Sequence, residues 1–199
     1  MEKQLKLGCV IMAAGNARRY GQNKLAAQLR GRSLILRALE AVPAEAFENV
    51  VVVTQYPEIM RLAGEFHFSA VHNAHPDHGI SRTIALGLTA LRDCCGVMFL
   101  VSDQPLLRRE SVAALARFWQ EQPDKLAALA HGGVRGNPCV FPARFFPELL
   151  ELTEDHGGNT VIRRHEEDLR LLEVPEEELA DVDTAEALEK MQNRSQKIR

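Results

Sequence analysis

Short apolar runs alternate along the chain with longer amphipathic segments, and this alternation constrains the fold more than any other feature. Val50-Val51-Val52-Val53 is the clearest run, because it is β-branched and too short for a helix, which favours a buried strand. The other runs predicted as strands are Leu7 to Ala13, Phe66 to Val71, Val97 to Val101, Leu126 to Ala130 and Pro138 to Phe141. Apolar strands separated by helices predict an α/β fold with a parallel sheet covered on both faces.

Apolar residues at helical spacing predict the segments between these strands to be helices. Ser33 precedes one such segment, which runs to Ala41, and it is predicted to be the N-cap. The other predicted helices are Glu58 to Gly64, Ser81 to Leu91, Ser111 to Trp119, Asn159 to His165 and Thr184 to Met191. Residues 1–191 are predicted to form a single domain, and residues 192–199 a loose C-terminal tail.

Composition excludes several classes of protein. The chain has 199 residues, of which 46% are hydrophobic, and its net charge is −3. No apolar stretch approaches the ~20 residues of a membrane span, and no signal peptide is recognisable, so we expect a cytoplasmic protein. The mild negative charge argues against nucleic-acid binding but leaves open a small polyanion held by local cations. The four cysteines form no C-x-x-C pair and are expected to be reduced.

The loop after the first predicted strand has the chemistry of a phosphate site. It reads A-A-G-N-A-R-R-Y-G-Q-N-K from Ala13 to Lys24. Small residues let backbone N–H groups approach a ligand closely, and Arg18, Arg19 and Lys24 supply positive charge. The G-x-x-x-x-G-K-[ST] and G-x-G-x-x-G patterns are both absent. In open α/β sheets, ligands bind beyond the carboxyl ends of the strands, which is where this loop begins.

Two carboxylates are candidates for a metal site. Asp103 follows the buried Val97–Val101 run in the turn Ser102-Asp103-Gln104-Pro105. Its carboxylate can stabilise that turn or bind Mg²⁺ that bridges phosphates. Asp183, near the C-terminus, precedes the last predicted helix and can be its N-cap, a role that is compatible with metal binding.

The loop pattern A-A-G-x-x-x-R-x-G-x-x-K resembles the signature of the MobA-like nucleotidyltransferases. The resemblance implies a three-layer αβα sandwich with a mostly parallel central sheet, Rossmann-like and of the nucleotide-diphospho-sugar transferase type. It also implies that the backbone at Ala13, Ala14 and Gly15 meets an NTP. By the same resemblance, Arg19 and Lys24 hold the triphosphate and stabilise the departing pyrophosphate.

Further segments extend the resemblance over most of the chain. The D-Q-P turn at Asp103 is similar to the family's metal-binding turn, which implies that Asp103 is catalytic and binds Mg²⁺ (or Mn²⁺) together with Asp183. Ser81 and Thr83 lie in a segment similar to the family's G-M-x-x-S-L element and are implied nucleotide contacts. The R-G-N-P segment that begins at Arg135 is similar to one associated with acceptor binding. Asn159 stands where the family has Arg.

The Ala13-Ala14-Gly15 sequence is similar to that of the cytidylyltransferase branch of the family. This implies transfer of CMP from CTP to the terminal phosphate of molybdenum-molybdopterin, with release of pyrophosphate. A molybdenum hydroxylase apo-enzyme is the implied recipient of the product. The Ala14 methyl group is expected to narrow the base pocket and to favour a pyrimidine.

Three other functions remain open from the sequence. The first is guanylyl transfer to molybdopterin. The second is nucleotidyl transfer to another phosphorylated acceptor, such as a sugar or polyol phosphate, which Asn159 allows. The third is a non-catalytic accessory protein that binds nucleotide or cofactor during molybdoenzyme maturation.

Overall fold

A computed structural model describes residues 5–15 and 24–194 of the chain. Its strands are β1 (Leu7–Ala13), β2 (Gln28–Leu29), β3 (Arg32–Ser33), β4 (Asn49–Thr54), β5 (Ser69–His72), β6 (Gly96–Val101), β7 (Leu126–His131), β8 (Val134–Pro142) and β9 (Leu169–Glu173). Seven of them form a central sheet in the order β5-β4-β1-β6-β8-β7-β9, and β2 pairs with β3 in a separate hairpin.

The central sheet is mostly parallel, as the sequence predicts. β1 pairs in parallel with β4 on one side and β6 on the other, and the pairs β4–β5 and β7–β9 are also parallel. β8 is the exception, because it runs antiparallel to both β6 and β7. Gly132 and Gly133 join β7 to β8, and their φ angles of +56° and +76° allow the tight reversal.

Helices cover both faces of the sheet. They are α1 (Leu34–Glu40), α2 (Pro57–Glu65), α3 (Ile80–Ala90), α4 (Arg109–Glu121), α5 (Phe146–Leu150), α6 (Gly158–Arg164) and α7 (Ala185–Arg194). Apolar residues of α1, α2 and α4 pack in one core, and those of α3, α5 and α6 pack in a second. Val50 and Val52 belong to the first core, whereas Val51 and Val53 belong to the second. The predicted three-layer αβα sandwich is therefore confirmed.

Several element boundaries test the sequence prediction. Ser33 is the N-cap of α1, and its Oγ accepts a hydrogen bond of 3.3 Å from the Leu36 N–H. The strand predicted from Phe66 begins only at Ser69, because the N–H groups of Phe66 and Phe68 both bond to Ala63 O and close α2. β9 is absent from the prediction, since this partly exposed edge strand, L-R-L-L-E, lacks a continuous apolar run.

The last helix packs beside the β2–β3 hairpin. Leu188 of α7 forms a small core with Leu29, Leu34 and Val182. α7 ends at Arg194, so the first residues of the predicted tail 192–199 are helical, whereas 195–199 lie outside the described residues. Within the described part of the chain, no helix combines the length and apolarity needed to cross a bilayer.

Candidate active site

The loop after β1 leaves the sheet along a path set by side chains of the neighbouring strand. Thr54 Oγ1 donates to Ala13 O at 2.9 Å, and Gln55 Nε2 donates to Ala14 O at 3.0 Å. Ala13 and Ala14 are buried, whereas Gly15 is exposed. The backbone of the predicted phosphate loop is therefore fixed where it emerges at the carboxyl edge of the sheet.

Of the three predicted cations of this loop, the structure describes one. Arg18 and Arg19 lie outside the described residues. Lys24 is described, and it begins a short 3₁₀ turn, Lys24–Ala26. Its side chain is only 14% exposed, so the ammonium is held within the site rather than on the open surface.

The Lys24 ammonium lies between the two predicted metal-binding carboxylates. Nζ is 3.0 Å from Asp103 Oδ2 and 3.1 Å from Asp183 Oδ1. Burial by itself lowers the pKa of the Lys24 ammonium, but the charges and hydrogen bonds of Asp103 and Asp183 outweigh it and raise that pKa above its ordinary value. Lys24 is therefore positively charged at neutral pH. The structure thus brings together three of the predicted site residues.

Backbone contacts bring the two carboxylates to the same place. The Val182 N–H donates to Asp103 O at 2.8 Å, which joins the turn after β6 to the segment before α7. Ser102 Oγ donates to Met12 O at 2.7 Å, which ties the same turn to β1. Asp183 is consequently held beside Asp103.

A cap of α7 comes from Thr184, which directly precedes the helix. The Ala187 N–H donates to Thr184 Oγ1 at 3.1 Å. The Asp183 carboxylate instead binds the Lys24 ammonium, and metal binding by Asp183 stays a prediction.

The group formed by these residues fits a divalent cation. Two carboxylates already converge on a cation, the Lys24 ammonium, and carboxylate oxygens are the donors that Mg²⁺ and Mn²⁺ prefer. Asp181 adds a third negative charge nearby: burial first, and then the charge of Asp103, raise the pKa of its carboxyl. Among the described residues of this group, one ammonium faces three carboxylates, an arrangement that is compatible with a further cation.

The hydroxyl groups of Ser81 and Thr83 form hydrogen bonds within the fold. Both residues are 5% exposed. Ser81 Oγ donates to His78 O at 3.5 Å, and Thr83 Oγ1 accepts from Asn73 Nδ2 at 3.3 Å. These bonds fix the start of α3, and the structure does not bring the two hydroxyls to the Lys24–Asp103–Asp183 group.

Glycine is required just before α3. Gly79 has a φ of +82°, and a Cβ there would lie 2.2 Å from Glu154 O. The Ser81 N–H donates to the same carbonyl at 3.1 Å. The loop around Glu154 and the N-terminus of α3 therefore pack as one unit.

A cavity of about 230 Å³ lies at the carboxyl ends of β1 and β6. Met12 and Val101 line it, and they immediately precede Ala13 and Ser102 of the loops just described. Its other lining residues are apolar side chains on β6, β8, α3 and α6, together with Arg135, Asn137, Cys139, Gly157, Gly158 and Asn159.

Arg135 supplies the positive charge of this cavity. Its Nη2 donates to Asn159 Oδ1 at 2.5 Å, and its Nη1 donates to Cys139 Sγ at 3.4 Å. Among the described residues no carboxylate lies within ion-pair distance of Arg135, so its charge is available to an anionic ligand. The structure thus brings Asn159 next to the R-G-N-P segment, for which the resemblance implies acceptor binding.

The chain has the sequence pattern of a known family over most of its length. Residues 9–169 match the family model described as the MobA-like NTP transferase domain. The chain belongs to the MobA-like NTP transferase family. It is therefore a nucleotidyltransferase of the MobA-like type, as the loop and the D-Q-P turn predict.

Relatives within and around the MobA-like family cover most of the chain. The purine catabolism protein PucB of Bacillus subtilis (strain 168) is 26% identical over 190 residues, which are 89% of this chain and 91% of that protein. The molybdenum cofactor guanylyltransferase of Syntrophotalea carbinolica is 30% identical over 77% of this chain and 70% of its own. A nucleotidyl transferase from Methanothermobacter thermautotroptrophicus has the same fold, with a TM-score of 0.79 at 19% identity over 98% of this chain and 99% of that one.

Two structural features of this MobA-like chain are not predicted from its sequence. The apolar part of the cavity comes from strand and helix residues such as Phe99, Phe141 and Ile84, which in sequence look like ordinary core. Glu178 is fully buried beside the turn that carries Asp103, although its neighbours Glu176 and Glu177 are exposed. Nothing in the run of three glutamates distinguishes the buried one.

Proposed function

We propose that the protein transfers CMP from CTP to the terminal phosphate of molybdenum-molybdopterin. An oxygen of that phosphate attacks the α-phosphorus of CTP; a new P–O bond forms, the bond to the bridging β-phosphate oxygen breaks, and pyrophosphate leaves. The observation that carries the proposal is the Lys24 ammonium held at 3.0 and 3.1 Å between Asp103 and Asp183, directly beside the phosphate loop.

The residues of the site act by positioning and by charge. The nucleophile is already an anion, so the reaction needs no general base on the protein. Lys24 and Arg19 hold the triphosphate and stabilise the negative charge that develops on pyrophosphate. Asp103 and Asp183 hold Mg²⁺ or Mn²⁺, which when bound neutralises phosphate charge. The backbone of Ala13, Ala14 and Gly15 seats the nucleotide. Ser81 and Thr83, in the first turn of α3, are proposed as further contacts, although their hydroxyls bond within the fold in this structure.

The acceptor is proposed to bind in the cavity lined by Arg135. A volume of about 230 Å³ with apolar walls suits a flat ring system. The Arg135 guanidinium, which has no ion-pair partner among the described residues, suits an anionic substituent. Met12 and Val101 place this cavity next to the loops that carry Ala13 and Asp103. An acceptor phosphate at that end of the cavity is therefore within reach of the nucleotide.

The choice of CTP rests on the Ala13-Ala14-Gly15 sequence. Ala14 is 3% exposed, so its methyl group is packed where the loop leaves β1. It is proposed to narrow the base pocket from that position. Guanylyl transfer is the second candidate, because the Syntrophotalea relative is a molybdenum cofactor guanylyltransferase at 30% identity. A different phosphorylated acceptor is the third, since Asn159 replaces the arginine of the family pattern and here binds Arg135.

We place the reaction in the cytoplasm, with a molybdenum hydroxylase apo-enzyme as the recipient of the product. All four cysteines are free thiols, and Cys9, Cys94 and Cys139 are buried, which agrees with a reducing compartment. The PucB relative connects one protein similar to this chain with purine catabolism. A pull-down of the purified chain with candidate apo-hydroxylases tests the partnership.

The activity is tested in two steps. Binding of CTP, GTP, ATP and UTP is first measured by calorimetry with Mg²⁺ and with Mn²⁺. Pyrophosphate release is then measured with the preferred NTP and molybdenum-molybdopterin, with a sugar phosphate and a polyol phosphate as competing acceptors. Tighter binding of GTP than of CTP contradicts the cytidylyl assignment. Absence of pyrophosphate release with every NTP and acceptor favours a non-catalytic accessory protein.

A further inference from the structure

Glu178 is a buried carboxylate in a short turn that the proposed mechanism does not use. It is 1% exposed and lies in the 3₁₀ turn Glu176–Leu179. Burying a carboxylate is costly unless hydrogen bonds and an opposite charge compensate for lost hydration. The contacts that Glu178 makes therefore indicate what the fold uses it for.

Glu178 binds the residue at the start of α4. Its Oε2 accepts a hydrogen bond of 3.1 Å from the Arg108 backbone N–H, and its Oε1 lies 3.6 Å from Arg108 Nε. Arg108 is the N-cap residue of α4, a helix of 13 residues, and its own side chain offers no cap hydrogen bond. A carboxylate is stabilised at this end of a helix, because the peptide dipoles leave positive charge there.

This contact is one of several that join two segments in antiparallel order. Gln104 Nε2 donates to Leu179 O at 3.2 Å, and the Val182 N–H donates to Asp103 O at 2.8 Å. As the residue number rises from Asp103 to Arg108, the number of the residue that it contacts falls from 182 to 178. Asp183 directly follows this joined region. The register between the two segments therefore determines how Asp183 lies relative to Asp103.

The same turn touches the acceptor side of the site. The Leu179 side chain packs on Gly136, where a Cβ would lie 2.9 Å from Leu179 Cδ1. Gly136 follows Arg135, which lines the cavity. A shift of the Glu178 turn would therefore disturb both the carboxylate pair and the acceptor segment.

We propose that Glu178 is a positioning residue for nucleotidyl transfer. Through the Arg108 N–H it fixes the register between the 103–108 turn and the 178–183 segment, and so holds Asp103 and Asp183 at the separation that a divalent cation needs. The inference rests on the proposed function, because it assigns metal binding to those two carboxylates. Glu178 itself touches neither nucleotide nor cation.

The test compares Glu178→Ala with Glu177→Ala. Glu177 is 61% exposed and binds only the side chain of Arg108, so it is a matched control in the same turn. Free Mn²⁺ is titrated by electron paramagnetic resonance with and without CTP, and CTP binding is also measured without metal. Loss of a residue that orients ligands costs ~10–100-fold in metal affinity. We expect a loss of this size for Glu178→Ala, unchanged metal-free CTP binding, and wild-type values for Glu177→Ala.

A conservative variant covers the case in which Glu178→Ala does not fold. Glu178→Asp keeps the charge but withdraws the carboxylate by one methylene group, and we expect weaker Mn²⁺ binding from this folded variant. Either folded variant with wild-type Mn²⁺ affinity overturns the inference and leaves Glu178 a purely structural residue. If the wild type does not bind Mn²⁺, either alone or in the presence of any NTP, the proposed function fails together with the inference. Wild-type binding with unchanged variants contradicts the inference alone.

Discussion

Lys24 and Asp103 are 79 residues apart in the chain, and their side chains meet at 3.0 Å on the carboxyl edge of the sheet. The contact places a positive charge where the two loops that leave β1 and β6 approach each other. Asp183 completes the group from the far end of the chain at 3.1 Å. A cation and a triphosphate arriving at this edge must therefore redistribute contacts that the protein already makes to itself.

Replacement of Lys24 by methionine is expected to separate metal binding from nucleotide binding. Lys24→Met removes a cation that competes for Asp103 and Asp183, so Mn²⁺ affinity without nucleotide should rise. The rise should be about 5-fold or more, because an exposed ion pair is worth up to about 1 kcal/mol and Lys24 is mostly buried. CTP affinity should fall by about 10-fold or more, because a hydrogen bond to a charged group is lost. Mn²⁺ affinity is measured by electron paramagnetic resonance and CTP affinity by calorimetry. Lys6→Met, at an exposed ion pair with Glu48, is the control, and weaker Mn²⁺ binding by Lys24→Met contradicts the competition.

Loss of the Asp103 carboxylate charge is expected to abolish turnover without unfolding the protein. Asp103→Asn keeps the shape of the side chain and the backbone carbonyl that binds Val182. We expect pyrophosphate release to fall by at least about 100-fold, as for other preorganised charges at a reacting phosphate. The melting temperature should change little, and the exposed Asp93→Asn should retain full activity. Near-normal pyrophosphate release from Asp103→Asn would refute its metal-binding role.

Arg135 is expected to act on the acceptor and not on the nucleotide. Arg135→Gln removes the positive charge of the cavity but keeps a polar side chain that can reach Asn159. The KM for the acceptor should rise by about 10-fold or more, because a charge-assisted hydrogen bond is lost, while the KM for CTP stays unchanged. Arg163→Gln, an exposed arginine on α6, is the control. Equal increases in both KM values would place Arg135 elsewhere in the mechanism.

The sequence predicts the layers of the fold better than it predicts its edges. The run Val50 to Val53 is assigned correctly because alternate valines enter the two cores, which requires apolar residues on both faces. The sequence pattern does not predict β9. One side of this edge strand is open to water and tolerates Arg170, which interrupts the apolar run. The antiparallel direction of β8 depends on how the chain reverses at Gly132 and Gly133, which hydrophobic pattern alone does not encode.

The sequence likewise predicts part of the candidate site and not the rest. Lys24, Asp103 and Asp183 are predicted from local motifs at strand ends, and the structure brings them together. The position of Glu178 depends on a register between segments about 70 residues apart, so no local pattern identifies it. The cavity likewise requires residues from several elements, each of which reads in the sequence as ordinary core.

Ala14 is expected to influence which base the site accepts. Ala14→Gly removes one methyl group from the packed loop after β1, and one such group is worth about 10-fold in discrimination when a pocket is tight. We therefore expect the preference for CTP over GTP to decrease by up to about 10-fold, measured as the ratio of kcat/KM values. Ala26→Gly, at the exposed last residue of the 3₁₀ turn Lys24–Ala26, controls for added backbone flexibility. An unchanged ratio would mean that the base is selected by other residues.

Asp168 is expected to make stability depend on pH at the far end of the sheet. Its carboxylate accepts hydrogen bonds from Lys125 and Arg144, which in that order lower the pKa of Asp168. Because the folded pKa lies below the unfolded value of about 3.9, the stabilisation is complete above that value and disappears as pH falls through the folded pKa. Asp168→Asn should therefore reduce the free energy of unfolding at pH 7 by on the order of 1 kcal/mol, as expected for two exposed ion pairs.

The pH dependence of that difference identifies its cause. Urea unfolding of the wild type and of Asp168→Asn should differ equally at about pH 7 and about pH 5, and the difference should shrink towards about pH 3 as the wild-type carboxylate becomes protonated. Glu167→Gln, at the exposed neighbour, should match the wild type throughout. A difference that stays constant down to pH 3 would show that Asp168 acts through packing, because only an ionised carboxylate retains the charge that binds Lys125 and Arg144.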